Sequence, residues 1–253
     1  MTKTVAVAGK GGTGKTTIAA LLAHWLSQYG TVLAVDADPS SNLHMALGMA
    51  LESTIGDIRE GMLQEVKRGT FSGGISKQDY LEWKINEAVV EGPRIDLVAM
   101  GRPEGPGCYC AANNMLRGCL DRLQTQYDYV VMDNEAGMEH LSRQTTRDVD
   151  VLLLVSDPSL RGISAAARMQ ELIHELRTSV GRIALLVNRA GDGVLPPAVA
   201  GAIQSAGLPL LGTLPDHPAV REYDAQGRPV VQLPPDDPLR RRLIELAKEL
   251  GLP

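Results

Sequence analysis

The nine-residue loop that begins at Gly9 constrains the fold of this chain more than any other segment. An apolar run at residues 4–8 precedes it and predicts a buried strand, and a stretch with helical spacing follows it. Gly9, four further residues and then Gly14-Lys15-Thr16 make up the phosphate-binding loop pattern. Because strand, loop and helix occur in this order, the segment predicts an α/β fold that holds a polyphosphate at a helix N-terminus.

The residues of this loop have separate predicted tasks. Its glycines let backbone amides turn inward around the phosphates. The Lys15 ammonium can reach the β- and γ-phosphates, and the Thr16 hydroxyl can bind Mg²⁺. The predicted nucleotide-binding residues of the loop are Gly9, Gly11, Gly12, Thr13, Gly14, Lys15, Thr16 and Thr17.

Apolar runs alternate with helical patterns along the rest of the chain. Amphipathic stretches extend from Ile18 to Tyr29 and from Met169 to Val180. This alternation predicts one α/β domain over residues 1–253, with a mostly parallel central sheet flanked by helices on both faces. The further predicted strands are 31–35, 95–100, 129–132, 151–155, 183–187 and 208–211.

Composition narrows the partners that we expect. The net charge is −5 and aromatic residues make up 4% of the chain, so neither phosphate neutralisation nor base stacking predicts a nucleic-acid partner. No apolar run reaches membrane-spanning length, and we expect no membrane partner. The N-terminus leads directly into the first strand, and the three cysteines are too few for a disulfide framework. These features predict a cytoplasmic protein.

Carboxylates follow two of the predicted strands. Asp36 and Asp38 come after the strand at 31–35, and Asp133 directly follows the strand at 129–132. Carboxylates at the carboxyl ends of parallel strands project into the ligand crevice. Asp133 has the Walker B arrangement and is predicted, together with Asp36 and Thr16, to serve the Mg²⁺ shell. Asp38 precedes a proline, a pair that also suits a simple turn.

A second lysine, Lys10, lies inside the loop. The run from Lys10 to Thr17 resembles the deviant phosphate-binding loop of the MinD/ParA/nitrogenase-iron-protein group of dimeric nucleotidases. The resemblance implies a P-loop NTPase fold of the MinD and iron-protein type, with two ATP molecules at the interface of a homodimer. It assigns Lys10 to the nucleotide of the partner subunit and Asp38 to the attacking water, so the predicted catalytic residues are Lys10, Lys15 and Asp38. The alternative for Lys10 is a solvated loop lysine.

The same resemblance assigns the remaining nucleotide contacts. Gly137 becomes the pivot of switch II, with its amide near the γ-phosphate. Asn188 reads the adenine edge and Arg189 stacks on the ring, while Pro215 and Asp216 belong to the loop that closes over the base. Glu135, which precedes Gly137, has two open roles, as a general base or as a hydrogen-bonding group toward a partner or the other subunit.

Cys108 and Cys110 lie in a loop rich in glycine and proline. A Cys-x-Cys pair cannot close a four-ligand site alone, whereas two pairs across a two-fold axis supply four thiolates. The predicted dimer therefore predicts an intersubunit metal site. Soft thiolates suit Zn²⁺, Cu(I), Fe–S units and, in square-planar geometry, Ni²⁺, and we expect Ni²⁺ or Zn²⁺. Loop thiols without a metal are the alternative. Cys119 shares a helical face with leucines, which predicts a buried and inert thiol.

The segments 100–113 and 133–143 resemble the CooC type of this group. These are accessory ATPases for nickel insertion into carbon monoxide dehydrogenase, with relatives that serve acetyl-CoA synthase. The resemblance implies Mg²⁺-dependent ATP hydrolysis, a metal-bridged homodimer and such a nickel enzyme as partner. His140 lies just beyond switch II, where sensing a metal or client and an ordinary helix position are both open.

Two other functions share these motifs. A reductase like the nitrogenase iron protein would hold an Fe–S cluster between subunits, although no cysteine accompanies the segment 133–137. A MinD/ParA positioning protein would use the amphipathic C-terminal stretch from Leu239 to Leu250, for which we instead expect a helix docked on the domain. The segment 52–94 predicts a helical insertion on the dimer or partner face, with Ser76 as the N-cap of its second helix.

Overall fold

Seven parallel strands form a single sheet in the described part of the chain. The computed structural model describes residues 2–68, 74, 76–101, 118–134, 148–175 and 179–253. The strands are β1 (Lys3–Gly9), β2 (Val32–Asp36), β3 (Ile95–Ala99), β4 (Tyr129–Asp133), β5 (Asp148–Ser156), β6 (Ser179–Val187) and β7 (Leu210–Thr213). Their order is β3-β2-β4-β1-β5-β6-β7, and every neighbouring pair is parallel. The predicted fold class is therefore confirmed.

Helices cover both faces of this sheet. They are α1 (Lys15–Leu26), α2 (Leu43–Leu47), α3 (Ile55–Arg68), α4 (Lys77–Ala88), α5 (118–124), α6 (Leu160–Glu175), α7 (Pro197–Ser205), α8 (Pro218–Ala225) and α9 (Pro238–Glu249). The helices α1, α2 and α9 pack on one face and form the first core. The helices α3 to α7 pack on the other face and form the second core.

The central strand β1 is buried on both sides, which explains its unbroken apolar run. Val5 and Val7 point into the first core, and Ala6 and Ala8 point into the second. A parallel strand that is covered on both faces has no solvent side, so its sequence shows no polar alternation. The loop that follows β1 thus starts from a buried strand in the middle of the sheet.

The predicted bounds of several elements differ from the structure; β5 and β6, for example, begin three and four residues earlier than predicted, at Asp148 and Ser179. The last strand begins at Leu210 rather than Leu208, because the Leu208 amide donates to Ile203 O and closes α7, while Pro209 has no N–H to donate. Val180 was predicted to lie on the helix that contains Met169. It lies instead in β6, where it pairs with Val149 of β5. That prediction was wrong because an i, i+3, i+4 spacing of apolar residues ran past the end of the helix into the next strand.

The segment 52–94 contains the two predicted helices, α3 and α4. The Ser76 side chain accepts a hydrogen bond from the Asp79 amide at 3.1 Å, which confirms the predicted N-cap. Buried side chains of both helices, such as Ile55 and Leu81, belong to the second core. These helices are therefore part of the layer that covers the sheet, and their predicted place on a dimer or partner face stays a prediction.

The C-terminal helix α9 docks on the first core, as expected. Its apolar residues Leu239, Leu243 and Leu246 are at most 4% exposed. No helix within the described ranges is long and apolar enough to cross a membrane.

Candidate nucleotide-binding site

The loop between β1 and α1 needs glycine at both of its ends. At Gly9 a Cβ would collide with the carbonyl oxygen of Val155 on the neighbouring strand β5. Gly14, the N-cap of α1, has a φ of 92°, and a Cβ there would lie 2.5 Å from Asn188 Nδ2. The backbone therefore turns tightly enough to aim successive amides at the space above the N-terminus of α1.

We expect Gly14→Ala to weaken MgATP binding at least about tenfold. The new methyl group strains the left-handed backbone and pushes against the Asn188 amide, which donates to Thr13 O within the loop at 2.8 Å. Titration calorimetry with MgATP measures the change. Gly61→Ala is the matched control, because this helical glycine has open space around it. Wild-type affinity in Gly14→Ala would contradict the assignment of this loop.

The two lysines of the loop are in different environments. The Lys15 side chain is buried, and its ammonium lies 3.4 Å from the carbonyl oxygen of Lys10. The Thr13 hydroxyl donates to the same carbonyl at 2.9 Å. The Lys15 ammonium is therefore enclosed by the loop. The Lys10 side chain, in contrast, is exposed, and no described residue pairs with it.

Thr16 and Asp133 meet where α1 begins and β4 ends. The Thr16 hydroxyl donates to Asp133 Oδ2 at 2.6 Å. The other carboxylate oxygen of Asp133, Oδ1, is buried and has no hydrogen-bond partner in the described structure. A hydroxyl beside a carboxylate with a free, buried oxygen is the donor set that a hydrated Mg²⁺ requires, so these residues fit the predicted ion.

Asp36 holds the backbone that follows β2. Its Oδ1 accepts from the Asp38 amide at 3.1 Å, and its Oδ2 accepts from the Leu43 amide at 2.8 Å. The side chain is fully buried, and β2 places it beside Asp133 in register on β4. Asp36 therefore shapes the loop toward α2, and its service to Mg²⁺ stays a prediction.

Burial raises the pKa of both carboxyl groups. The pKa of Asp133 rises to about 7, chiefly because the group is desolvated, although the hydrogen bond from Thr16 and the charge of Lys15 oppose the shift. Desolvation likewise raises the pKa of Asp36 to about 6 against the two backbone hydrogen bonds that it accepts. Ionisation of these two carboxyl groups is therefore unfavourable in the empty site, and a bound cation would stabilise their charged forms.

We expect Asp133→Asn to stabilise the nucleotide-free protein at about pH 8 by about 2 kcal/mol, which raises Tm by about 4–8 °C. A carboxyl pKa raised to about 7 implies a loss of at most about 4 kcal/mol when the group ionises, and we expect half of that. The folded-state pKa lies above the unfolded one, so the wild-type protein loses stability as the pH rises from about 4 to about 7. The gain from the substitution should vanish near pH 4. Thermal unfolding in EDTA measures it, with the exposed Asp236→Asn as control. A gain independent of pH would contradict this explanation.

The loop after β2 contains Asp38, the predicted water-orienting residue. Its Oδ1 accepts from the Ser40 amide at 2.8 Å, which is the turn that an Asp-Pro pair favours. Ser41 in the same loop has a φ of 49°. Among the described residues other than glycine, only Ser41 and Arg189 have positive φ, and both lie on loops of this site. Backbone strain thus coincides with the candidate nucleotide loops.

A pocket beside the loop brings the predicted base contacts together. Asn188, Arg189, Pro215 and Asp216 all line it, and Gly14 is at its edge. The space between these side chains is about 430 Å³ when the solvent at its open mouth is included. Apolar side chains of α1 and α9 complete its floor, which suits the flat face of a base. The roles of these residues toward adenine stay predictions.

Two of these residues already have internal partners. Asn188 donates to Thr13 O and accepts from the Arg189 amide at 3.0 Å, so it ties the pocket to the phosphate loop. Both oxygens of Asp216 accept from Arg221, at 2.8 and 2.6 Å. This pair at the exposed mouth lowers the pKa of Asp216, first through the hydrogen bond from Arg221.

Several predicted residues lie outside the described part of the chain. They are Cys108, Cys110, Glu135, Gly137 and His140. Their flanks are described, however. Met100 donates its amide to Asp36 O at 2.7 Å, and Asn134 donates its amide to Val7 O at 3.0 Å. Both segments therefore leave the sheet beside the candidate Mg²⁺ residues.

The third cysteine is buried as predicted. Cys119 is 3% exposed in the second core, and burial raises the pKa of its thiol. Arg122 Nη2 lies 3.4 Å from its sulfur.

Sequence reasoning missed a polar pair that joins the pocket lining to the start of α9. His217 lines the pocket, and its Nε2 lies 3.3 Å from Asp237 Oδ2. Asp237 also caps α9 by accepting from the Leu239 amide at 2.9 Å. The Asp-Pro pair at 237–238 is a helix-start signal that could have identified the cap, but no sequence pattern links it to His217.

Known proteins resemble the chain over nearly its whole length. The family model for the CobQ/CobB/MinD/ParA nucleotide binding domain matches residues 4–230. An ATP-binding protein of Methanocaldococcus jannaschii is 42% identical, covering 97% of each chain. The carbon monoxide dehydrogenase accessory protein CooC of Rhodospirillum rubrum is 31% identical, covering 91% of this chain and 90% of that one. The structure of MinD from Pyrococcus horikoshii, complexed with Mg-ADP, aligns with a TM-score of 0.70 at 22% identity, covering 99% and 96%.

Proposed function

Because this chain belongs to the CobQ/CobB/MinD/ParA family of nucleotide-binding proteins, we propose that it is a Mg²⁺-dependent ATPase that matures a nickel enzyme. One observation carries the ATPase part of the proposal. The Thr16 hydroxyl meets the Asp133 carboxylate at the end of the phosphate loop, and Asp133 Oδ1 is buried without a described partner. A nucleotide that brings Mg²⁺ satisfies this oxygen and neutralises its charge.

The proposed reaction is the hydrolysis of ATP to ADP and phosphate. The backbone amides of the loop and the buried Lys15 bind the β- and γ-phosphates, and Thr16 binds Mg²⁺. Asp133 and Asp36 hold water molecules of the ion, and Asp38 orients the attacking water. Bound Mg²⁺ supplies charge neutralisation at the phosphates. Asn188 and Arg189, with the loop at Pro215 and Asp216, hold the base.

A homodimer completes the proposed site. Lys10 projects from the loop with an exposed side chain and has no partner among described residues, which supports a role toward the nucleotide of a second subunit. A cation that arrives with the partner stabilises charge that develops on the transferred phosphoryl group. Dimerisation and hydrolysis are then coupled, since neither subunit has a full set of catalytic cations alone.

The nickel part of the proposal rests on the cysteines and on the CooC relative. Cys108 and Cys110 of two subunits supply four thiolates to one Ni²⁺ or Zn²⁺ ion. The partner is carbon monoxide dehydrogenase or a related nickel enzyme, and the proposed location is the cytoplasm. Nucleic acid has no part in this function.

The sheet offers a route between the nucleotide and the metal. β3, which leads toward the cysteines, pairs with β2, and Met100 donates to the backbone of Asp36. A shift of the loop at Asp38 when phosphate leaves therefore begins two residues from Asp36, whose carbonyl oxygen holds the Met100 amide just after β3. Such loop release on hydrolysis is a recurrent type of switch.

Anaerobic purification followed by elemental analysis and sizing, with and without a non-hydrolysable MgATP analogue, tests this function. We expect a monomer without ligands and a dimer with about one Ni²⁺ or Zn²⁺ ion when the analogue and the metal are present. If the protein stays monomeric at saturating concentrations of the MgATP analogue and of Ni²⁺ or Zn²⁺, the proposed function is wrong.

Likeness in fold to MinD favours a second candidate, an ATPase that positions cargo or acts at a membrane. In this chain the apolar face of α9 packs on the first core, so it offers no surface for lipid. ATP-dependent co-sedimentation with liposomes would favour the second candidate. A brown protein with broad visible absorption would instead favour the Fe–S reductase.

A further inference from the structure

His217 gives the base pocket a feature that the proposed function does not use. Its imidazole lines the pocket at the N-cap position of α8. One ring nitrogen, Nε2, faces Asp237 Oδ2 at 3.3 Å. The other, Nδ1, is buried and has no hydrogen-bond partner in the described structure.

The partner of Nε2 determines which ring nitrogen carries the proton. Asp237 Oδ1 accepts from the amides of Leu239 and Arg240, at 2.9 and 3.4 Å, as a helix-capping carboxylate does. A carboxylate accepts hydrogen bonds and donates none, so the imidazole must present N–H at Nε2. In the neutral ring Nδ1 then has a lone pair and acts only as an acceptor.

An acceptor that is buried without a partner is costly. Such an atom has lost its hydrogen bonds to water and regains one only when a donor arrives. Two other polar side chains of the pocket already have partners, since Asp216 is paired with Arg221 and Asn188 with Thr13 and Arg189. Among buried side-chain atoms of the described pocket lining, His217 Nδ1 is the one that lacks a partner.

We propose that Nδ1 of His217 accepts a hydrogen bond from the 6-amino group of adenine and thereby makes the pocket select 6-amino purines over 6-oxo purines. This inference rests on the proposed ATP-binding function and adds the residue that distinguishes the bases. The amino group has two hydrogens, so a contact with Asn188 remains compatible. A 6-oxo purine would place an oxygen lone pair against the lone pair of Nδ1, which costs the hydrogen bond and adds repulsion.

Three nucleotides that differ only at position 6 of the base test the proposal. They are ATP, purine riboside triphosphate, which lacks the amino group, and ITP, which has an oxygen there. We expect the wild-type protein to bind ATP about tenfold more tightly than purine riboside triphosphate, as measured by competition with a fluorescent ATP analogue in Mg²⁺. In His217→Ala this ratio should fall to about one, because only ATP loses a contact. His174→Ala, an exposed histidine of α6, is the matched control.

Asp237→Asn gives an independent readout. The amide oxygen of the new residue can still cap α9, which leaves its NH₂ group facing the imidazole. The NH₂ group donates to Nε2, the ring proton moves to Nδ1, and Nδ1 becomes a donor. We therefore expect the ratio of ATP to ITP affinity to shift toward ITP by at least about tenfold.

The outcomes separate this inference from the proposed function. If His217→Ala weakens ATP and purine riboside triphosphate equally, His217 only positions the loop and the inference is overturned. An unchanged ATP-to-ITP ratio in a folded Asp237→Asn also overturns it. Failure of the wild-type protein to bind any of the three triphosphates would overturn the ATPase function itself, whereas equal binding of all three overturns only the selection of the base.

Discussion

Lys10→Ala will abolish ATP hydrolysis while leaving MgATP bound. We expect turnover to fall at least about 100-fold, and the Kd for MgATP to stay within about twofold of the wild-type value. The reason is that each subunit binds its own phosphates through the loop amides and Lys15, whereas the Lys10 side chain is exposed. A cation supplied across an interface acts on charge that develops in the transition state, so its removal affects rate far more than ground-state affinity.

Phosphate release and titration calorimetry measure the two quantities on the same preparations. Lys248→Ala is the matched control, because this exposed lysine lies in the last turn of α9, away from the phosphate loop. Mixing Lys10→Ala with a second variant that cannot bind nucleotide, Lys15→Ala, gives a further test. Since the Lys15→Ala subunit still carries Lys10, the mixed dimer should recover part of the activity. Full turnover by Lys10→Ala alone would refute the role across the interface.

Replacing Cys108 and Cys110 together by Ser will remove the bridging metal. We expect the content to fall from about one Ni²⁺ or Zn²⁺ ion per dimer to none, because the hydroxyls that remain do not provide the thiolates that such ions need. MgATP affinity should stay near the wild-type value, since the described phosphate loop and base pocket contain neither residue. Elemental analysis after gel filtration, with and without the ATP analogue, measures the change.

Cys119→Ser is the control that separates this effect from general loss of thiols. Its thiol is buried in the second core and contacts Arg122, so the substitution tests stability and leaves the proposed ligands intact. If the double variant retained its metal, the ligands would have to lie elsewhere. The described residues contain no cluster of three or more His, Cys, Asp or Glu that could hold a metal ion.

Particular residues illustrate how far the sequence leads. All seven strands could be predicted. The central ones are buried on two faces, which requires an unbroken apolar run, whereas the edge strand β7 is partly exposed and was predicted from a short apolar run. The cap at Ser76 was equally readable, since a serine followed by Asp79 is a local signal. The helical spacing of apolar residues up to Val180 gave a wrong prediction. Val180 belongs to a strand because it pairs with Val149, a residue that is distant in sequence.

What the sequence determined by itself was local chemistry. The glycine spacing and Lys15 predict a phosphate loop, and Asp133 at the end of an apolar run predicts a carboxylate at the strand edge. Only the tertiary structure decided that Thr16 donates to Asp133 and that burial raises the pKa of this carboxyl to about 7. It also decided that His217, a residue of the pocket lining, lies beside Asp237. The physical reason is that desolvation and the choice of hydrogen-bond partner depend on which distant segments pack together, and no short stretch of sequence contains that information.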